Sequence, residues 1–506
     1  MAVKQIGNKW TKTHWLTSTL WFLLHFIIFL LIAAALLLWD KTSYLGVYMK
    51  ERGADYLYAV FCSLLLIVIT YAYFFVENKT ILMDGKNISL LFAVLDVYLI
   101  LACLLGYRVS IYVRPVALVA MLIFVLVGRR EAIFLNIISA LLIFVIDTFA
   151  MSETEVSTKE CYSSLIIAFS AGMFSIFFAE KARTRFSVIL IGIGIVIPMD
   201  IIIFLLGISK LVESGVAMEA VVESPMRSIV TEMGFGLCGG VLSAFIFLFV
   251  LPIYEGIFNR LTVFRLRELT SSDARILKKL KAEAPGTYNH SMMVAQLAEA
   301  SAAAIGENVD FARAAAMYHD VGKLHYPEHF TENQGDYNLH DELTPELSAD
   351  IIRSHAHDGY ALIRSHHLPE FLADVALQHH GTMPIRYFYA KALKMTDGEL
   401  NIEDFSYIGP KPQTKIAAII MICDAAEAAV RAVNARKPED AEKAIRAIIE
   451  ERMDLEQFSE CDVTMADLTK IRHALVNALT GVYHHRIKYP NIKYRRTENG
   501  TRGENE

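Results

Sequence analysis

The sequence predicts an all-α protein with two parts, a polytopic bundle of about eight membrane-spanning helices and a cytoplasmic, all-helical domain. Of its 506 residues, 54% are hydrophobic and only 20% are charged, against about 25% charged in an ordinary soluble chain. Long apolar runs fill the chain up to about residue 258. Eleven of the 16 histidines lie between His290 and His380. These features exclude a disordered chain and a small disulfide scaffold.

An apolar run of about 18 residues can cross a bilayer as a helix. We count about eight such runs, near 15–39, 56–76, 88–107, 113–128, 132–150, 163–179, 186–207 and 229–255. With eight spans, 13 Lys and Arg residues flank the bundle on one side and 8 on the other. The richer side is expected to be cytoplasmic. We therefore expect a multi-pass protein in contact with the lipid bilayer, with both termini in the cytoplasm.

Three carboxylates, Asp96, Asp147 and Asp200, interrupt the predicted spans. A carboxylate inside a bilayer is costly and usually has a partner or a function. One alternative is a hydrogen bond that fixes the packing of two helices. The other is proton sensing or ligand-gated signalling, and the sequence leaves both open.

Composition and helix signals divide the chain into five segments. They are an N-terminal segment with the first span and a short outer loop (1–55), a seven-span region (56–258), a connector helix (259–284), the histidine-rich domain (285–485) and a polar tail (486–506) expected to be disordered. Within the domain, helical spacing predicts helices at 345–367, 369–379, 413–435 and 438–456. The connector is either a spacer or a carrier of movement, and the sequence favours neither.

Histidine and aspartate residues recur at the ends of the predicted domain helices. In chain order they are His290, the pair His319 and Asp320, His355, the pair His379 and His380, and Asp424. Each of them alone is more often an ordinary side chain than a ligand. Together, imidazole and carboxylate groups without thiolates suit Mn²⁺, Fe²⁺ or another divalent ion better than structural zinc. A carboxylate beside a histidine can bridge two metal ions, and two ions stabilise an in-line displacement at phosphorus.

Several short strings carry a family resemblance. They are APGTYNHS (284–291), YHDVGK (318–323), FTENQ (330–334), SHAHDGY (354–360), LQHHGT (377–382), YFYAKA (387–392), DFSYIGPKPQTK (404–415) and DAAEAAVR (424–431). The segment 285–430 resembles an HD-superfamily phosphohydrolase domain. The whole chain, roughly residues 1–480, is similar to the seven-transmembrane-HD (PgpH-type) family of bacterial cyclic-di-AMP phosphodiesterases. The HD pattern is widespread, whereas QHHG and GPKPQTK with this membrane topology are more specific.

The resemblance implies a bacterial, membrane-anchored phosphodiesterase that hydrolyses cyclic-di-AMP to linear pApA with two divalent metal ions, Mn or Fe. One ion would be held by His290, His319, Asp320 and Asp424, and the other by Asp320, His355, His379 and His380. A hydroxide bridging the ions would attack one phosphorus, and the 3′ oxygen would leave.

The resemblance also implies contacts to the substrate. Lys323, together with Asp320, would be a catalytic residue, because its ammonium can offset charge on the phosphoryl oxygens. Lys411, Gln413 and Lys415 form a second polar edge for phosphate or base. The ordinary alternatives are a helix-end lysine and a solvated loop.

This chain departs from the family pattern at two places. Family members usually carry a large extracytoplasmic domain after the first span, where this chain has only residues 40–55. Its absence removes the expected site for an external ligand and leaves the catalytic part intact. Asn289 replaces a second histidine of close relatives, so we expect no metal contact from it.

Two other functions stay open at this stage. One is an HD hydrolase of another nucleotide, such as cyclic-di-GMP or a guanosine alarmone. The other is a membrane receptor whose domain binds a nucleotide without turnover. The net charge of -6 gives no reason to expect a nucleic acid polymer as partner, and a homodimer is an open alternative to a monomer.

Overall fold

The computed structural model describes residues 12–150, 157–182, 184–213, 224–335, 337–395, 398–432 and 438–482. The chain divides into two compact units with the boundary between Leu269 and Thr270, here called the membrane unit and the C-terminal unit. Among the described residues there is no strand, and one isolated bridge joins Pro384 to Ser406. The prediction of an all-α fold is confirmed. The predicted tail, 486–506, lies outside the described residues.

Among the described residues, the membrane unit consists of long apolar helices and three short ones. They are α1 Lys12–Leu38, α2 Leu45–Glu77, α3 Lys79–Leu82, α4 Gly85–Arg108, α5 Leu118–Leu126, α6 Arg129–Val145, α7 Thr158–Ala179, α8 Arg185–Glu213, α9 Ser224–Ile257 and α10 Val263–Leu269. The predicted outer loop is a 3₁₀ turn, Trp39–Tyr44, and is helical from Leu45 onward.

Seven helices in the described part of this unit are long and apolar enough to cross a membrane, so the chain is a multi-pass membrane protein. They include every predicted span except 113–128, where a 3₁₀ turn precedes α5. The nine residues of α5 extend over about 14 Å, half of a ~30 Å hydrocarbon core. This corrects the length of the fourth predicted span. The physical reason is Pro115, which holds Arg114 in an extended conformation and delays the helix.

A buried ion pair anchors the start of α5. The guanidinium of Arg114 donates to both carboxylate oxygens of Asp147, at 2.6 and 2.8 Å, and to the carbonyl oxygen of Ala102 at 3.1 Å. Tyr107 donates its hydroxyl to the same carboxylate at 2.9 Å. The guanidinium fills the space beside Gly106, where a Cβ atom would overlap it. Of the two alternatives for Asp147, this arrangement favours the packing role.

Asp96 and Asp200 differ from Asp147. One carboxylate oxygen of each is buried without a hydrogen bond from the described residues. Oδ1 of Asp200, on α8, lies against Gly236 on α9. Both alternatives, packing and signalling, therefore stay open for these two residues.

The described part of the C-terminal unit contains nine α-helices. They are α11 Arg275–Glu283, α12 Pro285–Ile305, α13 Val309–Tyr318, α14 Pro345–Ser365, α15 Glu370–Gln378, α16 Arg386–Met395, α17 Lys415–Ala432, α18 Pro438–Asp454 and α19 Met465–Val482. The four predicted helices correspond to α14, α15, α17 and α18. The predicted connector contains α10, α11 and the boundary between the units.

Helix α12 is the central element of this unit and packs against α13, α17 and α19. Pro285 is its first residue, a position where the missing N–H costs nothing. Gly306 ends it in the left-handed conformation, with φ of 80°. Ala295, Ala298 and Ala302 on its buried face are fully buried. These small side chains allow the neighbouring helices to approach, and so bring their polar ends together.

Candidate metal centre

Seven side chains selected from the sequence as metal ligands converge in the C-terminal unit. They are His290 on α12, His319 and Asp320 after α13, His355 on α14, His379 and His380 after α15, and Asp424 on α17. The first and last of them are 134 residues apart and in direct contact. All except His380 and Asp424 are at most 7% exposed.

The ligand atoms form two groups, each with its members within 4.8 Å of one another. The first group is His290, His319 and Asp424, and the second is Asp320, His355, His379 and His380. Oδ2 of Asp320 also faces the first group, 3.3 Å from Nε2 of His319 and 3.7 Å from Nε2 of His290. Its Oδ1 lies 3.3 Å from Nε2 of His355 and 3.6 Å from Nε2 of His379. One carboxylate oxygen therefore faces each group, as a bridging ligand requires.

Asp424 also lies between the two groups. Its Oδ1 is 3.0 Å from Nε2 of His290, and its Oδ2 is 3.9 Å from Nδ1 of His380. The ring of His380 stacks on Tyr407, with ring centroids 4.2 Å apart. A carboxylate in an apolar helix such as α17 needs a partner, and these imidazoles provide it.

Hydrogen bonds behind the ligands orient four of the imidazole rings. Three rings donate their Nδ1 hydrogen to the carbonyl oxygen of the residue three positions earlier. These are His319, His355 and His379, with distances of 2.7, 2.5 and 2.7 Å. Nδ1 of His290 bonds the carboxylate of Glu427 at 2.9 Å. Because Nδ1 is the donor in each bond, Nε2 faces the cluster, which is the usual arrangement behind metal-bound histidines.

The site also contains buried atoms that lack hydrogen-bond partners. Nε2 of His319 and Oδ1 of Asp320 are buried and make no hydrogen bond to the described residues, whereas Oδ2 of Asp320 lies 2.8 Å from the ammonium of Lys323. Leaving such atoms unsatisfied is costly. Imidazole nitrogens and carboxylate oxygens without thiolates suit divalent ions of the Mn²⁺ and Fe²⁺ type. The residues present therefore fit a divalent metal centre.

The two carboxylates are held in the ionised form. Burial opposes a charge on Asp320, but the nearby His319 and the ammonium of Lys323 outweigh it and keep the pKa of the carboxyl group well below its ordinary value. Burial also opposes a charge on Asp424, and the hydrogen bond and charge of His290 keep its pKa well below the ordinary value. Both groups are therefore ready to bind a cation.

Two of the histidines have opposite pKa shifts. Burial lowers the pKa of His355 to about 3, so its ring is neutral. Burial also disfavours a charged His290, but hydrogen bonds with Asp424 and Glu427 outweigh it and raise the pKa of His290 to about 10. A metal ion that binds at His290 has to displace this proton.

Lys323 lies directly beside the cluster. Its ammonium is 2.8 Å from Oδ2 of Asp320 and 2.8 Å from Oε1 of Glu332, and it lies 4.9 Å from the centre of the Phe330 ring. Burial disfavours its charge, but Asp320 and Glu332 outweigh burial and raise the pKa of Lys323. A permanent positive charge therefore stands next to Asp320.

The other predicted substrate contacts lie against a different segment. Lys411 donates to Ser459 at 3.3 Å, and the side chain of Gln413 bonds Glu460. Lys415 donates to Asp467 at 2.9 Å. The structure thus groups these three residues with the turn between α18 and α19. Their role in substrate binding stays a prediction.

Sequence reasoning missed several partners of the ligands. Glu427 orients His290, and Glu332 holds Lys323. The side-chain oxygen of Asn333 accepts hydrogen bonds from the backbone N–H groups of Gly286 and Thr287 at the start of α12. Glu427 could have been found from the DAAE string, because it lies three residues after Asp424 and so on the same helix face. Glu332 and Asn333 lie in FTENQ, which contains no helical pattern.

Comparison with known families agrees with this architecture. Residues 54–262 match a family described as a 7TM receptor with intracellular HD hydrolase. Residues 287–429 match the HD domain. The second match contains all seven candidate ligands.

Similar proteins are known from two bacteria. The cyclic-di-AMP phosphodiesterase PgpH of Bacillus subtilis is 36% identical over 434 residues, which are 84% of this chain and 59% of that protein. The protein of the same name from Listeria monocytogenes is 45% identical over 267 residues, 53% of this chain and 37% of that protein. The chain thus spans less than two thirds of the length of either relative.

Two solved structures of the HD domain of L. monocytogenes PgpH are also similar. One is 46% identical, covers 42% of this chain and all of that chain, and has a TM-score of 0.40. The other, a complex with cyclic-di-AMP, is 48% identical, covers 42% of this chain and 99% of that chain, and has a TM-score of 0.41. From the two family matches and the relatives, the chain belongs to the PgpH-type family of seven-transmembrane proteins with an intracellular HD hydrolase domain.

Proposed function

We propose that this protein is a membrane-anchored phosphodiesterase that hydrolyses cyclic-di-AMP to pApA at a dinuclear metal site. The observation that carries the proposal is the position of Asp320, whose two carboxylate oxygens face two separate groups of histidines. The substrate class is supported by the relatives from B. subtilis and L. monocytogenes, which are named as cyclic-di-AMP phosphodiesterases.

In this proposal His290, His319, Asp320 and Asp424 hold one ion, and Asp320, His355, His379 and His380 hold the other. Two divalent ions held there would activate a water molecule at neutral pH and would stabilise the oxygens of an in-line displacement. Addition of that water at one phosphorus, with the 3′ oxygen as the leaving group, would open the ring to pApA.

The residues of the chain contribute charge and orientation. Lys323 places its ammonium beside Asp320, where charge on the phosphoryl oxygens would develop. Glu332 accepts hydrogen bonds from Lys323 and from Thr287 at 2.8 and 3.0 Å, and so holds that ammonium against α12. Lys411, Gln413 and Lys415 are proposed as a more distant polar edge for phosphate or base.

We also propose that the protein lies in the bacterial cell membrane with both termini in the cytoplasm. The matched region 54–262 bears the description 7TM, yet it contains six of the seven long apolar helices. Among the described residues the number reaches seven when the whole apolar segment Ile111–Leu126, of which α5 is the C-terminal part, is counted as a crossing. With α1 the total is eight, and an even number places both ends of the described chain on one side.

The test is hydrolysis of cyclic-di-AMP by purified full-length protein with Mn²⁺, with the product separated by chromatography. We expect pApA from the wild type and a rate at least ~100-fold lower for Asp320→Ala. Asp440→Ala, at an exposed position in the first turn of α18, serves as the matched control. Undiminished hydrolysis by Asp320→Ala would contradict the mechanism.

A panel of nucleotides tests the substrate in the same assay. Turnover of cyclic-di-GMP or a guanosine alarmone, without turnover of cyclic-di-AMP, would support the first alternative function. A metal-free protein that binds a nucleotide tightly and never hydrolyses it would support the receptor. The seven convergent ligands favour the hydrolase, because nucleotide binding alone does not need two metal ions.

A further inference from the structure

His380 is held differently from the other histidines of the second group. The rings of His355 and His379 are each fixed by a carbonyl oxygen of their own helix. Among the described residues no hydrogen bond fixes the ring of His380, which stacks on Tyr407 and lies 3.9 Å from Asp424. Its position therefore depends on the backbone turn that follows α15.

Gln457, which lies 75 residues after Thr382 in the chain, makes hydrogen bonds to this turn. Its Oε1 accepts the backbone N–H of Thr382 at 3.0 Å, and its Nε2 donates to the hydroxyl of Thr382 at 2.9 Å. The turn residue Gly381 has φ of 53°, a conformation that favours glycine. A Cβ atom on Gly381 would overlap Oε1 of Gln457. The side-chain amide of Gln457 thus contacts both residues that follow His380 in the chain.

The side chain of Gln457 is itself fixed. Its Nε2 also donates to the carbonyl oxygen of Leu455 at 2.9 Å, and its backbone N–H donates to the carbonyl oxygen of Arg452 at 2.9 Å. The residue is only 1% exposed. A buried amide with all of its polar atoms bonded is rigid, and a buried polar group left without partners is costly. Gln457 therefore connects the end of α18 to the turn after His380.

We propose that Gln457 is a positioning residue for His380, and through it for the metal ion held by Asp320, His355, His379 and His380. This inference rests on the proposed dinuclear function. Residues behind a metal ligand typically change metal affinity by roughly 10- to 100-fold. The first group contains no residue of this turn, so its ion should be unaffected.

The experiment is a titration of metal-free, full-length protein in detergent with Mn²⁺, which gives the stoichiometry and both affinities. We expect two ions per wild-type chain. Gln457→Leu keeps a similar volume but removes the amide, and it should bind one ion normally and the other at least ~10-fold more weakly. Gln296→Leu is the matched control, because it makes the same substitution at an exposed position on α12, and it should bind both ions as the wild type does.

Gly381→Ala disturbs the same turn without changing Gln457, and we expect the same selective loss of one ion. Circular dichroism melting of each metal-free variant identifies any that has not folded. A folded Gln457→Leu or Gly381→Ala protein that binds both ions with wild-type affinities would overturn the inference. An equal loss of affinity for both ions would also overturn the inference. A wild type that binds fewer than two ions is a distinct result, because it contradicts the dinuclear proposal itself.

Discussion

The ammonium of Lys323 lies 2.8 Å from the carboxylate of Glu332 and 2.8 Å from the carboxylate of Asp320. Burial favours a neutral Glu332, but the charge of Lys323 outweighs it and lowers the pKa of the glutamate. Both partners are therefore charged. Glu332 shares with Asp320 the ammonium that would otherwise pair with Asp320 alone.

Glu332→Gln should lower kcat by roughly 10-fold and leave bound metal unchanged. The amide keeps the shape of the side chain but removes the charge that holds Lys323 away from a full ion pair with Asp320. Steady-state kinetics with metal analysis checks this. Glu328→Gln is the control, because the Glu328 side chain is 60% exposed. Equal kcat values for the two variants would contradict the assigned role of Glu332.

Asp147→Asn should destabilise the membrane unit by about 3–5 kcal/mol, because it leaves the Arg114 guanidinium buried without its counter-charge. Both side chains of this pair are at most 1% exposed. Thermal unfolding in detergent measures the effect. Asp96→Asn is the matched comparison, since Oδ1 of Asp96 accepts no hydrogen bond from the described residues. A smaller loss in Asp147→Asn than in Asp96→Asn would show that the pair is not the anchor of α5.

Some features could be predicted from the sequence because they repeat or cluster along it. Seven of the eight predicted apolar runs correspond to long helices among the described residues, and the histidine series selected residues that the structure brings together. The length of α5 was missed, because the run 113–128 satisfies a criterion of length and composition that takes no account of Pro115 near its start. Gln457 could not be predicted either, since 75 residues separate it from Thr382 and no motif contains it.

Removal of metal should destabilise the C-terminal unit. The ligand carboxylates and imidazoles are buried together, and without a cation two of their atoms, Nε2 of His319 and Oδ1 of Asp320, have no hydrogen-bond partner among the described residues. An ion present at 100 times its Kd contributes about 2.7 kcal/mol to folding. We expect a chelator to lower the Tm of this unit and added Mn²⁺ to restore it. The same treatment should leave the Tm of Asp320→Ala almost unchanged. A wild-type Tm that does not respond to the chelator would contradict the metal centre.

Glu427 provides the sharpest test of how the first group is oriented. Its carboxylate accepts the Nδ1 hydrogen of His290 at 2.9 Å, and the glutamate is 4% exposed. Glu427→Leu removes this acceptor and should weaken the ion at His290, His319 and Asp424 by roughly 10- to 100-fold. Glu427→Gln keeps an acceptor oxygen without the charge, so its affinity should lie between those of the wild type and Glu427→Leu. Metal titration measures both, with exposed Glu450→Leu as the control. If Glu427→Leu binds this ion as tightly as Glu450→Leu does, the ring of His290 is held by Asp424 and the metal alone.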